Sequence, residues 1–77
     1  MSADDLERWL VVQLAERLEM PARTVDPNAS FADLGLDSMG ALEIASNLQG
    51  EWDLTLAETD MWDHPTPREL ALHLTGE

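Results

Sequence analysis

A chain of 77 residues without cysteine is long enough for one hydrophobic core and too short for two, so a single domain over residues 1–77 is expected, with no disulfide, thiolate metal site or thiol nucleophile. Sixteen Asp and Glu face four Arg and no Lys, a formal net charge of -12, which argues against nucleic acid and anionic membranes as partners and favours proteins that carry basic patches. Two histidines make no convincing metal cage, MSADDLE is an acidic N-terminus, and apolar runs are short, so no secretion signal or membrane span is expected and the cytoplasm is the expected location.

From Asp4 to Glu19, Leu6, Leu10, Leu14 and Leu18 recur on one side, with Val11 widening the arc, and this spacing predicts the first helix. Ser2 followed by Asp5 resembles a capping box, and Pro21 stops the helix because its ring cannot enter a helix interior. Trp9 and Val12 fall off the stripe and are expected against a loop. The segment PARTVDPNASFADLGLD, residues 21–37, is rich in turn formers and reads as a long loop, pinned to the core by Val25, Phe31, Leu34 and Leu36.

The second long helix is expected from about Ser38 to Gly50, with either Asp37 or Ser38 as its N-cap. Ala41, Leu42, Ile44, Ala45, Leu48 and Trp52 gather in one arc as its core face, leaving Met39, Glu43, Ser46, Asn47 and Gly50 exposed. Asp53 to Leu56 reads as a loop with Leu54 and Leu56 buried, because a lone strand has no partner. Thr59 to Asp63 makes a short helical turn. Thr66-Pro67-Arg68-Glu69 is the strongest helix-start signal in the chain, with a capping threonine, proline at the first position and glutamate at the third. The last helix, Pro67 to Leu74, is expected to bury Leu70, Ala71 and Leu74. Trp52 and Trp62 are assigned to packing, since aromatic area dominates small cores, and His64 to the turn beside Pro65. The fold class is all-α, a small bundle of three main helices plus a short helix, with a long structured loop between the first two.

Ser38 stands where the glycine-bearing loop becomes a helix, in the stretch GLDSMGALEI, and its role there is that of a helix cap, a catalytic nucleophile or an attachment point. A hydrolase elbow needs glycines two residues on either side, and the chain has Gly40 but Leu36. A calcium loop counted from Asp33 places Gly35 and Ile44 at ligand positions, so it fails as well. A plain helix cap remains. The surroundings point further: Phe31 and Leu34, then Gly35-Leu36-Asp37-Ser38-Met39, then Leu42-Glu43, resemble the attachment motif of the acyl carrier protein family. The likeness continues through Trp52 to Trp62-Asp63-His64-Pro65-Thr66-Pro67, which is similar to carrier domains of modular polyketide synthases. Met39 stands where that family usually has leucine, a nearly volume-conserving change, and Gly40 so early in a helix carries an entropic cost.

The resemblance implies a non-catalytic carrier. Its 4'-phosphopantetheine arm would be joined to Ser38 by a separate phosphopantetheinyl transferase using magnesium and coenzyme A, with Asp37 helping to present the serine or the metal. It implies acyl groups carried as thioesters for polyketide or fatty-acyl biosynthesis, with loading and processing enzymes that bear basic docking patches as further partners. A peptidyl carrier of nonribosomal peptide synthesis, or an unmodified acidic interaction module, are the alternatives. Met39, Glu43 and Asn47 are the candidate partner-recognition residues; the initiating methionine suggests a free-standing chain, and a monomer is expected.

Overall fold

The computed structural model describes residues 2–57 and 59–77. Its helices are α1 (Ala3–Leu18), α2 (Phe31–Leu34), α3 (Ser38–Trp52), α4 (Asp60–Asp63) and α5 (Pro67–Thr75), with a 3-10 turn at Ala22–Thr24. No strand occurs among the described residues.

Each long helix begins where a short polar side chain satisfies a free backbone N–H. Ser2 Oγ accepts from the Asp5 N–H at 3.2 Å, and Thr66 Oγ1 accepts from the Glu69 N–H at 3.0 Å. Such caps are worth about 1 kcal/mol each. Pro67 fills the first position of α5, where no helical N–H is needed. α1 ends at Glu19, which takes a left-handed conformation with φ of 56°, and Pro21 follows.

The leucine stripe lies as its spacing requires: Leu6, Leu10 and Leu14 of α1 are fully buried with Leu48 of α3 and Leu70 of α5, and Leu18 is half-buried. Burial of each contributes about 1.5–3 kcal/mol relative to an exposed side chain. α1 packs most extensively on α5 and also touches α3. Arg68 ties the start of α5 to α1, with Nη1 2.8 Å from Asp4 Oδ1 and 3.6 Å from Glu7 Oε2. The hydrogen bond to Asp4, followed by the field of Glu7, raises the guanidinium pKa above its ordinary value.

The connection from α1 to α3 carries more structure than a loop. Ser30 Oγ accepts from the Asp33 N–H at 3.0 Å and caps the single turn of α2, and Gly35 closes it at φ 99°, a conformation that favours glycine. Phe31 and Val25 are buried. The Phe31 N–H donates to the Pro65 carbonyl at 2.8 Å and the Arg68 N–H to the Pro27 carbonyl at 3.0 Å, so this segment is stitched to the approach to α5.

Several expectations need correction. Trp9 packs edge to face on Trp52 of α3, with ring centroids 6.3 Å apart, and not on a loop. Leu42 is 62% exposed, because Ala41, Ile44 and Leu48 already fill the inward face. Trp62 is 63% exposed: Met61 takes the inward position of the single turn α4, and its neighbour, about 100° further round, faces out. Leu54, Leu56 and Leu74 are half-buried rather than buried. His64 lies at the end of α4 as part of the turn, and its ring also stacks on His73 at 3.9 Å.

Candidate functional site

Ser38 occupies the first helical position of α3 and is exposed. The cap is supplied by Asp37, whose Oδ1 accepts from the Gly40 N–H at 2.7 Å. The serine hydroxyl is therefore not consumed by the helix end. Asp37 also places a carboxylate next to that hydroxyl at the positive end of the helix dipole, where negative charge is favoured. The side chain of Asp37 thus holds the backbone that presents Ser38.

Beside Ser38 opens a half-enclosed groove of about 480 Å³. One wall is α3, through Ala41, Leu42 and Ala45; the other is Leu56 with Met61 and Trp62 of α4. The exposed Leu42 and Trp62 are thereby explained as the rim of this groove. The histidines are not part of it: His73 stacks on His64, and its Nε2 lies 3.3 Å from Asp60 Oδ1. Asp60 Oδ2 in turn accepts from the Ala57 N–H at 2.9 Å, so Asp60 joins the loop that forms one wall to α5. A nucleophilic serine needs an orienting base, and neither imidazole lines the groove beside Ser38.

The remaining sequence candidates lie on a neighbouring stripe of α3. Met39, Glu43 and Asn47 follow one another at intervals of four and are exposed, Met39 by 69%. Ser38 is displaced from that stripe and heads the next, with Leu42 and the groove. Glu43 does not stand free in solvent: it hydrogen-bonds to Arg17 Nη1, which reaches across from the last turn of α1. Gly40 is buried nearby. A Cβ there would lie 2.7 Å from Leu36 Cδ1 and 3.1 Å from both Arg17 Nε and Asp37 Oδ1. The glycine so early in α3 thus leaves room for three neighbouring side chains.

Sequence reasoning missed Arg17, Met61 and the groove-rim roles of Leu42 and Trp62. Arg17 pairs with a residue 26 positions away, and no local pattern signals such a contact. The rim residues carry one usable sign, large apolar side chains that the helical arc has no need to bury.

Over residues 8–74 the chain matches the family described as phosphopantetheine attachment site. It is 36% identical over 72 residues to a phenolphthiocerol/phthiocerol polyketide synthase of Mycobacterium tuberculosis, covering 94% of this chain and 4% of that protein. The chain therefore spans only a small part of this curated relative. Among solved structures, it is similar to a free-standing peptidyl carrier protein from Acinetobacter baumannii, with TM-score 0.90 and 29% identity, over 97% of this chain and 94% of the other. It is similar also to the HMG-ACPI domain of the CurA module from Lyngbya majuscula, with TM-score 0.86 and 29% identity, over 97% and 76% of the two chains.

Proposed function

Because the chain belongs to the family of phosphopantetheine attachment domains, whose members carry 4'-phosphopantetheine, we propose that Ser38 is its attachment residue and that residues 1–77 act as one acyl carrier domain in polyketide assembly. The observation that carries this reading is the exposed Ser38 at the first turn of α3, relieved of capping by Asp37 and lining a mostly apolar groove. A phosphodiester on Ser38 would meet free backbone N–H groups and the positive end of the helix dipole. In the attachment step the Ser38 oxygen forms the bond to phosphorus, the diphosphate bond of coenzyme A breaks, adenosine bisphosphate leaves, and the hydroxyl proton passes to the medium. When bound, the arm supplies a thiol for acyl thioesters, and its tether raises their effective concentration at successive enzyme sites.

Beyond the bond that Ser38 accepts, the protein's own residues catalyse no step in this reading. Asp37 fixes the serine and assists the approach of magnesium, and the α3 surface with Met39, Glu43 and Asn47 meets the transferase and the loading enzymes. Their expected chemistry is basic, because a field of -12 steers cationic patches. A peptidyl cargo is the second reading, supported by the likeness to the Acinetobacter peptidyl carrier. Incubation with a promiscuous phosphopantetheinyl transferase, magnesium and coenzyme A, read by intact mass, tests the proposal. Gain of one arm is expected, and an unchanged mass would leave only an acidic interaction module. Loading the armed chain with malonyl or aminoacyl groups by matched enzymes then separates the two cargo classes.

A further inference from the structure

Arg17 of α1 reaches Glu43 of α3, a contact that the carrier role does not require. Its guanidinium bonds to Glu43, with the two side chains 34% and 59% exposed, so the pair lies at the surface, where such contacts form and break at little cost. Its side chain passes close to the first turn of α3, where a Cβ at position 40 would lie 3.1 Å from Arg17 Nε. The other arginines are placed elsewhere. Arg68 is held by Asp4 and Glu7, Arg8 lies 3.9 Å from Asp5, and Arg23 is on the 3-10 turn.

We propose that Arg17 is an intramolecular competitor for Glu43, masking the carboxylate on which a partner's Arg or Lys lands, so that docking exchanges one cation for another. The inference rests on the reading of the Met39, Glu43 and Asn47 stripe as a docking face. Exchange leaves the number of ion pairs unchanged, so a correctly placed cation loses part of the gain that a free carboxylate would offer. A basic protein that lacks a cation at that point still pulls toward the acidic field but cannot displace Arg17. Because specificity is a difference of affinities, the latch narrows the advantage of the partner that uses Glu43 and keeps its docking weak and readily reversed.

The test uses the whole chain, with a promiscuous phosphopantetheinyl transferase and coenzyme A as the probe, and reads KM for the carrier by intact mass. Arg17→Gln is expected to lower KM about two- to fivefold, the range set by one exposed ion pair. Arg23→Gln makes the same change in net charge away from α3 and should not reproduce the gain. Combining Arg17→Gln with Glu43→Gln should abolish it, a coupling that independent sites do not show. In the wild-type chain the Arg17 Nε–H resonance should move toward its Glu43→Gln position as transferase is added. Equal gains from Arg17→Gln and Arg23→Gln would reduce the effect to net charge and overturn the proposal. So would a gain that persists without Glu43, a KM that does not fall, or an Arg17 resonance that stays in place. A wild-type chain that accepts no arm would instead defeat the carrier reading itself, and the docking role with it.

Discussion

Replacing Asp37 by alanine removes the oxygen that accepts from the Gly40 N–H at 2.7 Å, together with a negative charge at the positive end of α3. Loss of such a cap typically costs about 1 kcal/mol, within a range of about 0.5–2. In a domain of this size each kcal/mol displaces Tm by about 4–8 °C, so Asp37→Ala should melt roughly 4–8 °C below wild type. Asparagine caps about as well as aspartate, and Asp37→Asn forfeits only the charge–dipole share, about 0.3–1 kcal/mol at an exposed helix end. The asparagine variant should therefore melt above the alanine variant while attaching the arm more slowly than wild type, if the carboxylate also serves the transferase's magnesium. Thermal scans at the helical circular dichroism band give the first quantity, and the initial rate of mass gain gives the second. An alanine variant that melts with wild type, or an asparagine variant that falls as far as alanine, would refute the capping role. An asparagine variant modified at the wild-type rate would confine Asp37 to holding the helix.

Leu48 and Leu42 occupy the same helix in opposite environments, so Leu48→Ala should cost about 2–5 kcal/mol in urea unfolding, whereas Leu42→Ala should stay within about 0.5 kcal/mol. Glu43→Lys breaks the contact with Arg17 and sets two cations together. It should cost no more than about 1 kcal/mol yet slow modification by the transferase, and an unchanged rate at low salt would remove Glu43 from the docking face. The net charge of -12 opposes compaction. Tm should rise as sodium chloride is added from about 0.01 to 0.15 M, a range over which the Debye length falls from about 30 to 8 Å; a flat or falling Tm would mean that local pairs such as Arg68 with Asp4 outweigh the repulsion.

What the sequence disclosed is what depends on neighbours along the chain. Leu6, Leu10 and Leu14 fall on one face because a helix repeats every 3.6 residues, and Thr66-Pro67-Arg68-Glu69 marks α5 through contacts within a single turn. The turn α2 is hidden among loop-forming residues although Ser30 and Asp33 form its cap; four residues are too few for periodicity to register. Leu42 and Trp62 read as inward because local pattern tells which residues lie together, not where the neighbouring elements end. Gly40 reads from sequence as a weak point in α3, and only packing shows that Leu36, Asp37 and Arg17 crowd the position a Cβ would take. Asp37 and Ser38 are equal candidates for the cap until the hydrogen bond to Gly40 distinguishes them. That distinction bears on function, since it leaves the serine oxygen available.

The placement of the arm on Ser38 is tested most directly by treating wild type and Ser38→Ala with transferase, magnesium and coenzyme A, and following intact mass and peptide fragments. Because Asp37 caps α3, the alanine variant should keep its helical circular dichroism and its melting transition, so a failure to react would not reflect lost structure. Wild type should gain one arm, mapped by fragmentation to Ser38, and Ser38→Ala should gain none. An arm on the alanine variant, an arm mapped to another residue of the wild-type chain, or a wild-type chain that remains unmodified would contradict the assignment.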